Sequence, residues 1–233
     1  MSIITAKGKD ARKSAETKKV DLKNVFLKLK DGDSIKVRLL SAEDYVEYKA
    51  HGDFNLGIYT QPCIAPEGKK CALCEASKSG IEEFERIYAK KRYLFAFSDL
   101  KSGELRVFDA SKNQATSLIA EIEELASDYD FSEAVFTFSR KGTKTATAYS
   151  LKVVPEKKVT DEDRVSFEKF DGQEVEVSFY EAVLQARDYE GQVKSLKDAG
   201  FPVAQFFDVM ISDSAAEDNG TPIDTEDEDI SVI

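Results

Sequence analysis

From residue 24 the chain alternates between apolar and polar positions. Val25, Leu27 and Leu29 recur at every second position; after the turn signal Asp31-Gly32-Asp33, Ile35, Val37 and Leu39 resume the alternation. Apolar residues at every second position share one face of a strand, so this stretch predicts a hairpin. Shorter strands are expected at 45–48 and 58–63. At 75–90 the period changes: Ile81, Phe84, Ile87 and Tyr88 have helical spacing, interrupted early by Gly80. Tyr93, Phe95 and Phe97 then alternate with Leu94, Ala96 and Ser98, and past the turn Lys101-Ser102-Gly103 come Leu105, Val107 and Asp109, a second hairpin. Leu118, Ile122 and Leu125 form one stripe of a helix over 114–126. A third hairpin spans 134–139 and 145–154 around Arg140-Lys141-Gly142-Thr143. Val175, Val177 and Phe179 suggest one more strand, although 179–186 reads equally well as a helix. The stretch 201–211 is apolar enough to pack on the body.

Short hairpins with an interposed helix predict an α+β, mainly β chain, and a small OB-fold-like barrel is one architecture that satisfies them. The organisation expected is a flexible basic arm at 1–22, a core at 23–212 with a metal-binding subdomain at about 45–90, and a disordered acidic tail at 213–233. No window is long and apolar enough to span a membrane, and the N-terminus lacks the apolar core of a signal peptide, so a cytoplasmic protein is expected.

Charge changes this picture through its distribution. The formal net charge is −11, which by itself argues against a nucleic-acid partner. Residues 1–40, however, hold eleven Lys and Arg against five Asp and Glu, whereas 213–233 hold eight acids and no base. Opposite charge at the two ends is a signature of interaction tails.

The chemistry concentrates in HGDFNLGIYTQPCIAPEGKKCALC. This stretch contains the single histidine and all three cysteines, spaced His51-x11-Cys63-x7-Cys71-x2-Cys74. One imidazole and three thiolates make the closed tetrahedral donor set of a structural Zn²⁺ site. A redox pair at Cys71 and Cys74, with Cys63 a buried apolar residue, is the other reading. The zinc nucleobase deaminase signature is not met: Asp53 stands where that signature needs Glu, and Pro66 where it needs the second Cys. With the histidine assigned to metal, and the pairs Glu82-Glu83 and Glu123-Glu124 diverging on their helices, no catalytic constellation remains and a non-enzyme is expected.

Binding a single strand requires cations for the phosphates and aromatic faces for the bases. The chain interleaves the two. Lys69 and Lys70 lie in the metal loop, and Lys90-Lys91-Arg92 precede Tyr93. Arg106 follows on the partner strand, and Arg140 and Lys141 sit at the third turn. Tyr45, Tyr48, Tyr59 and Tyr93 are the candidate stacking residues, because a phenol tolerates water better than a phenyl ring does. An alternating aromatic run is equally what half of a hydrophobic core looks like, and lysines at turns are equally a solvated surface.

Cys-Ala-Leu-Cys at 71–74, KKRYLFAF at 90–97, RVFDASK ending at Lys112, the helix after it and VFTFSRKGTKTATAYSLKVV follow in an order that resembles the T-even-type bacteriophage single-stranded DNA-binding proteins. The resemblance covers roughly 30–155, with a basic arm and an acidic tail beyond it. It implies an OB-fold with a zinc subdomain and binding of single-stranded DNA without sequence preference. It also implies a role in phage DNA replication, recombination and repair, self-association along the strand, and recruitment of replication and recombination proteins by the tail. It places the protein in the host cytoplasm. The chain departs from that family in having no Trp, and Arg12-Lys13-Ser14 is the nearest match to the family's self-association motif. The competing reading is a zinc-stapled adaptor that binds proteins and has no nucleic-acid role.

Overall fold

A computed structural model describes residues 7–8 and 20–207. The expected basic arm therefore lies almost wholly outside the described residues, and the acidic tail lies wholly outside them. The described chain is an α+β protein organised on one seven-stranded antiparallel sheet. Its strands are β1 (Ser34–Arg38), β2 (Tyr45–Asp53), β3 (Ile58–Pro62), β4 (Lys90–Asp99), β5 (Glu104–Ser111), β6 (Phe136–Lys141) and β7 (Ala148–Val153). The order β3-β2-β4-β1-β6-β7 leaves the sheet open, with β5 added to β4.

β4 is the strand on which the sheet turns. One of its edges pairs with β5 from Arg92 to Asp99. Its other edge pairs with β2 from Lys90 to Phe95 and with β1 only at Ser98 and Asp99. The sequence explains why this strand is central, because it is apolar on both faces. Phe95 and Phe97 join Val37, Leu39, Phe108, Phe136, Phe138 and Leu151 in the main core. Leu94 and Ala96 point the other way and pack with Val25, Phe26, Val107, Tyr180 and Val183. The four phenylalanines at 95, 97, 136 and 138 are almost fully buried. Burying one such ring contributes roughly 1.5–3 kcal/mol.

Seven α-helices accompany the sheet among the described residues: α1 (Ala72–Ala76), α2 (Glu82–Glu85), α3 (Lys112–Asp128), α4 (Asp161–Glu168), α5 (Val177–Val183), α6 (Tyr189–Asp198) and α7 (Val203–Phe206). α3 lays Ala115, Leu118 and Ile122 on the main core. It begins in a capping box, in which the Ser111 hydroxyl accepts the Gln114 amide and the Gln114 side chain accepts the Ser111 amide.

The second and third hairpins are present as β4–β5 and β6–β7. The first is not. Residues 25–27 run beside β5, where Leu27 N–H donates to the Val107 carbonyl and Val107 N–H to that of Val25. β1 pairs with β6 and β4 instead. Alternation marks a strand-like face but carries no information about the partner. The single helix expected over 75–90 is two short helices: the first ends at Ala76 with Ser77 as its cap, and Gly80, in the left-handed conformation at φ +80°, turns the chain before the second. At 177–183 the helical reading holds and the strand does not form. There, Tyr180 and Val183 bury one stripe against the outer face of β4 and β5.

Candidate metal centre and the tyrosine face of the sheet

β2 runs past the edge of β4 and pairs with β3 to form a hairpin that leads into the cysteine loops. The ladder shifts register between His51 and Asp53. Gly52 sits at that shift, and a Cβ there would stand 3.2 Å from the Thr60 backbone, so the close approach of the two strands needs glycine. Asp53 then caps the following turn by accepting the amides of Asn55 and Leu56.

The hairpin carries His51 inward, where it is 1% exposed. Its Nδ1 lies 2.6 Å from the Ile87 carbonyl. A carbonyl only accepts, so Nδ1 carries the proton and Nε2 presents its lone pair. Facing Nε2 are the Cys71 sulfur at 3.4 Å and the Cys74 sulfur at 3.5 Å. The Cys63 sulfur stands 3.9 Å from that of Cys71 and 3.5 Å from that of Cys74. All four donor atoms lie within 4.8 Å of one another. A tetrahedron with metal–sulfur bonds of about 2.3 Å and a metal–nitrogen bond of about 2.0 Å has edges of about 3.8 and 3.5 Å. Four of the six donor pairs already have about this spacing, at 3.4, 3.5, 3.5 and 3.9 Å. A disulfide would need sulfurs about 2.05 Å apart, and all three cysteines are free thiols.

The protonation of the cluster without a cation points the same way. Burial pushes the Cys71 thiol up, but the adjoining His51 ring and the Cys74 amide pull it down to about 6. Cys74 is pushed up to about 12 by burial and by the neighbouring Cys63 and Cys71 sulfurs. Cys63 is raised as well, chiefly by burial. Three thiolates this close repel one another, and a divalent cation is what allows all three to ionise. The group can therefore bind a metal ion, and the Ile87 carbonyl supplies the outer hydrogen bond that metal-ligating histidines require.

The cluster is the centre of a second lobe. Cys63, Ile64, Leu73, Phe84 and Ile87 pack with Val193, Leu196, Phe201 and Phe207 from α6 and the segment after it. The fully buried Gln192 side chain accepts the Ala72 amide at the start of α1. The expectation that 201–211 packs on the body holds for Phe201 and Phe207; residues 208–211 lie outside the described residues. The periodicity gave no sign that α6 belongs to the metal lobe.

The nucleic-acid candidates divide between the two faces of the sheet. Tyr45 and Tyr93 sit partly exposed at the border of the main core, with Tyr45 5.3 Å from the Phe95 ring. Lys91 shares their face and is exposed. Tyr59 on β3 is 49% exposed. Arg92 points to the opposite face, where its Nε lies 2.9 and 3.1 Å from the two Asp109 carboxylate oxygens, with Tyr48 alongside. Arg106 holds the chain at 24–26 by donating to the carbonyls of Asn24 and Phe26. Arg140 donates to the Leu29 carbonyl and lies 5.9 Å from the Tyr149 ring. Lys141 is exposed at the end of β6. Lys90 is exposed 5.4 Å from the Tyr88 ring. Lys69, paired with Glu67 at 2.5 Å, and Lys70 are exposed in the metal loop.

Sequence reasoning missed one residue of this surface: Lys49 lies directly opposite Lys91 in the β2–β4 ladder. Counting alternate positions forward from Tyr45 and back from Tyr93 would have put Lys49 with the first ring and Lys91 with the second, but the cross-strand register was needed to bring the two pairs onto one face. In comparisons with known proteins, the chain matches no protein-family model and no curated protein.

Proposed function

We propose that this chain is a single-stranded DNA-binding protein without catalytic activity, organised as an OB-like barrel with a zinc-stapled lobe. It would bind the strand without sequence preference and protect it during phage DNA replication, recombination and repair, in the host cytoplasm. The observation that carries this reading is the register of β2 against β4, which sets Tyr45, Lys49, Lys91 and Tyr93 on one face. Cations for phosphates and half-exposed rings for bases are the two components of a sequence-tolerant single-strand surface. Lysines for phosphates and ring faces for stacking read no base edge, which accords with binding of any sequence. Zinc is the metal that three thiolates and one imidazole suit best, and four protein donors leave no open position for a catalytic water. The acidic segment 213–233 would serve replication and recombination partners, and self-association along the strand would fall to the basic segment at the other end.

The test is titration of single-stranded and duplex oligonucleotides at two salt concentrations. Preference for the single strand, with affinity falling as salt rises, is expected. Tyr93→Ala should weaken binding roughly tenfold with little change in salt slope. Lys91→Ala should lower that slope by about 0.7. A folded protein that binds neither nucleic acid would overturn the proposal in favour of a zinc-stapled protein adaptor.

A further inference from the structure

The centre of the tyrosine face is occupied by an acid. Glu47 lies directly opposite Tyr93 in the ladder, one alternation away from the Lys49–Lys91 pair. A single oxygen of its carboxylate, Oε2, accepts from the Tyr93 hydroxyl at 2.8 Å and from the Lys91 ammonium at 2.9 Å. The three groups respond to one another. The Lys91 and Tyr93 hydrogen bonds hold the Glu47 carboxyl below its ordinary range, with Lys49 among the charges that help. Glu47 in turn raises Lys91 and Tyr93. Two lysines directly opposed on neighbouring strands repel each other, and an anion placed between them relieves the repulsion. A nucleic-acid phosphate offers such an anion, with two charged oxygens that can each take one lysine.

We propose that Glu47 is an internal stand-in for phosphate, which holds Lys91 and Tyr93 in the free protein and is displaced when a phosphate of the strand enters between Lys49 and Lys91. Displacement releases the Tyr93 hydroxyl at the same moment, so that capture of a phosphate and freeing of a stacking ring are one event. The inference rests on the nucleic-acid reading above and adds to it a phosphate subsite, with Lys49 as its second cation and Glu47 as the competitor that sets its affinity.

Glu47→Gln tests this, because the amide keeps the size and the hydrogen bond to Tyr93 while losing the charge. Titrated with a single-stranded oligothymidylate, Glu47→Gln should bind about fivefold more tightly than wild type at low salt, with the gap closing as salt rises. Lys49→Ala should lower the wild-type salt slope by about 0.7, the contribution of one phosphate contact. Thermal melting of each variant confirms that it is folded. Wild-type binding with unchanged affinity and slope in Glu47→Gln, or an unchanged slope in Lys49→Ala, would overturn this inference alone. Failure of the wild type to bind would overturn the nucleic-acid reading and this inference together.

Discussion

At the scale of the residue, partners rather than residue types decide what a charge does. Lys91 and Arg92 are adjacent in the same basic run, yet they have different roles. Lys91 reaches an exposed carboxylate on the tyrosine face, whereas Arg92 is tied to Asp109, whose side chain is 3% exposed. A half-buried acid gives a prediction at this scale. Asp44 accepts the Ser41 amide, but burial pushes its carboxyl up to about 6, and Glu174 adds to the rise. An acid with a higher pKa in the folded state than in the unfolded state holds its proton more tightly when folded. Asp44 therefore costs stability above pH 6, and the cost fades as pH falls from about 6 towards the unfolded value near 4. Asp44→Asn should raise Tm at pH 7 and flatten the pH dependence of Tm in that window. A Tm–pH profile identical to wild type would show that the burial of Asp44 carries no such cost.

At the scale of the element, local signals acted where the chain settles its own hydrogen bonds. α3 starts where its capping box says it should, and its apolar stripe is the one that the spacing showed. Ser111→Ala removes the acceptor for the Gln114 amide and should cost about 1 kcal/mol in urea unfolding. A loss near zero would mean that the packing of Leu118 and Ile122 alone fixes the start of the helix. The two short helices at 72–85 show the limit of the same reasoning. The apolar spacing of Ile81, Phe84 and Ile87 is real, because Phe84 and Ile87 are buried, but a periodic stripe also arises when short turns pack against one lobe.

At the scale of the whole molecule, the metal lobe has a core of its own beside the main one. The main core lies against the sheet and α3, and the metal lobe gathers residues 58–87 with 193–207. The donor cluster lies in the second of these, so a metal ion bound there would be coupled to the folding of that lobe. Chelation of the metal, or Cys74→Ser, should lower Tm. In hydrogen exchange both treatments should deprotect 58–87 and the distant α6 together, while the amides of β4–β7 stay protected. Loss of protection confined to the cysteine loops would show that Gln192, Val193 and Leu196 do not depend on the metal. No helix among the described residues is long and apolar enough to cross a membrane.

The sequence by itself determined what depends on short-range spacing. It singled out the four residues that could hold a metal ion, because one histidine and three cysteines in a single stretch have few other uses in common. It also placed the two tight hairpins and α3, whose turns and caps are made by neighbouring residues. Only the tertiary structure decided what depends on partners far away in the chain. β1 found β6 across about a hundred residues rather than the stretch before it, since alternation specifies a face and not a mate. α6 found the metal lobe, since an apolar stripe on a helix fits any apolar surface. Tyr45, Lys49, Lys91 and Tyr93 became one surface because the β2–β4 register aligned them, and a slip of one residue would have turned one strand's pair to the other face.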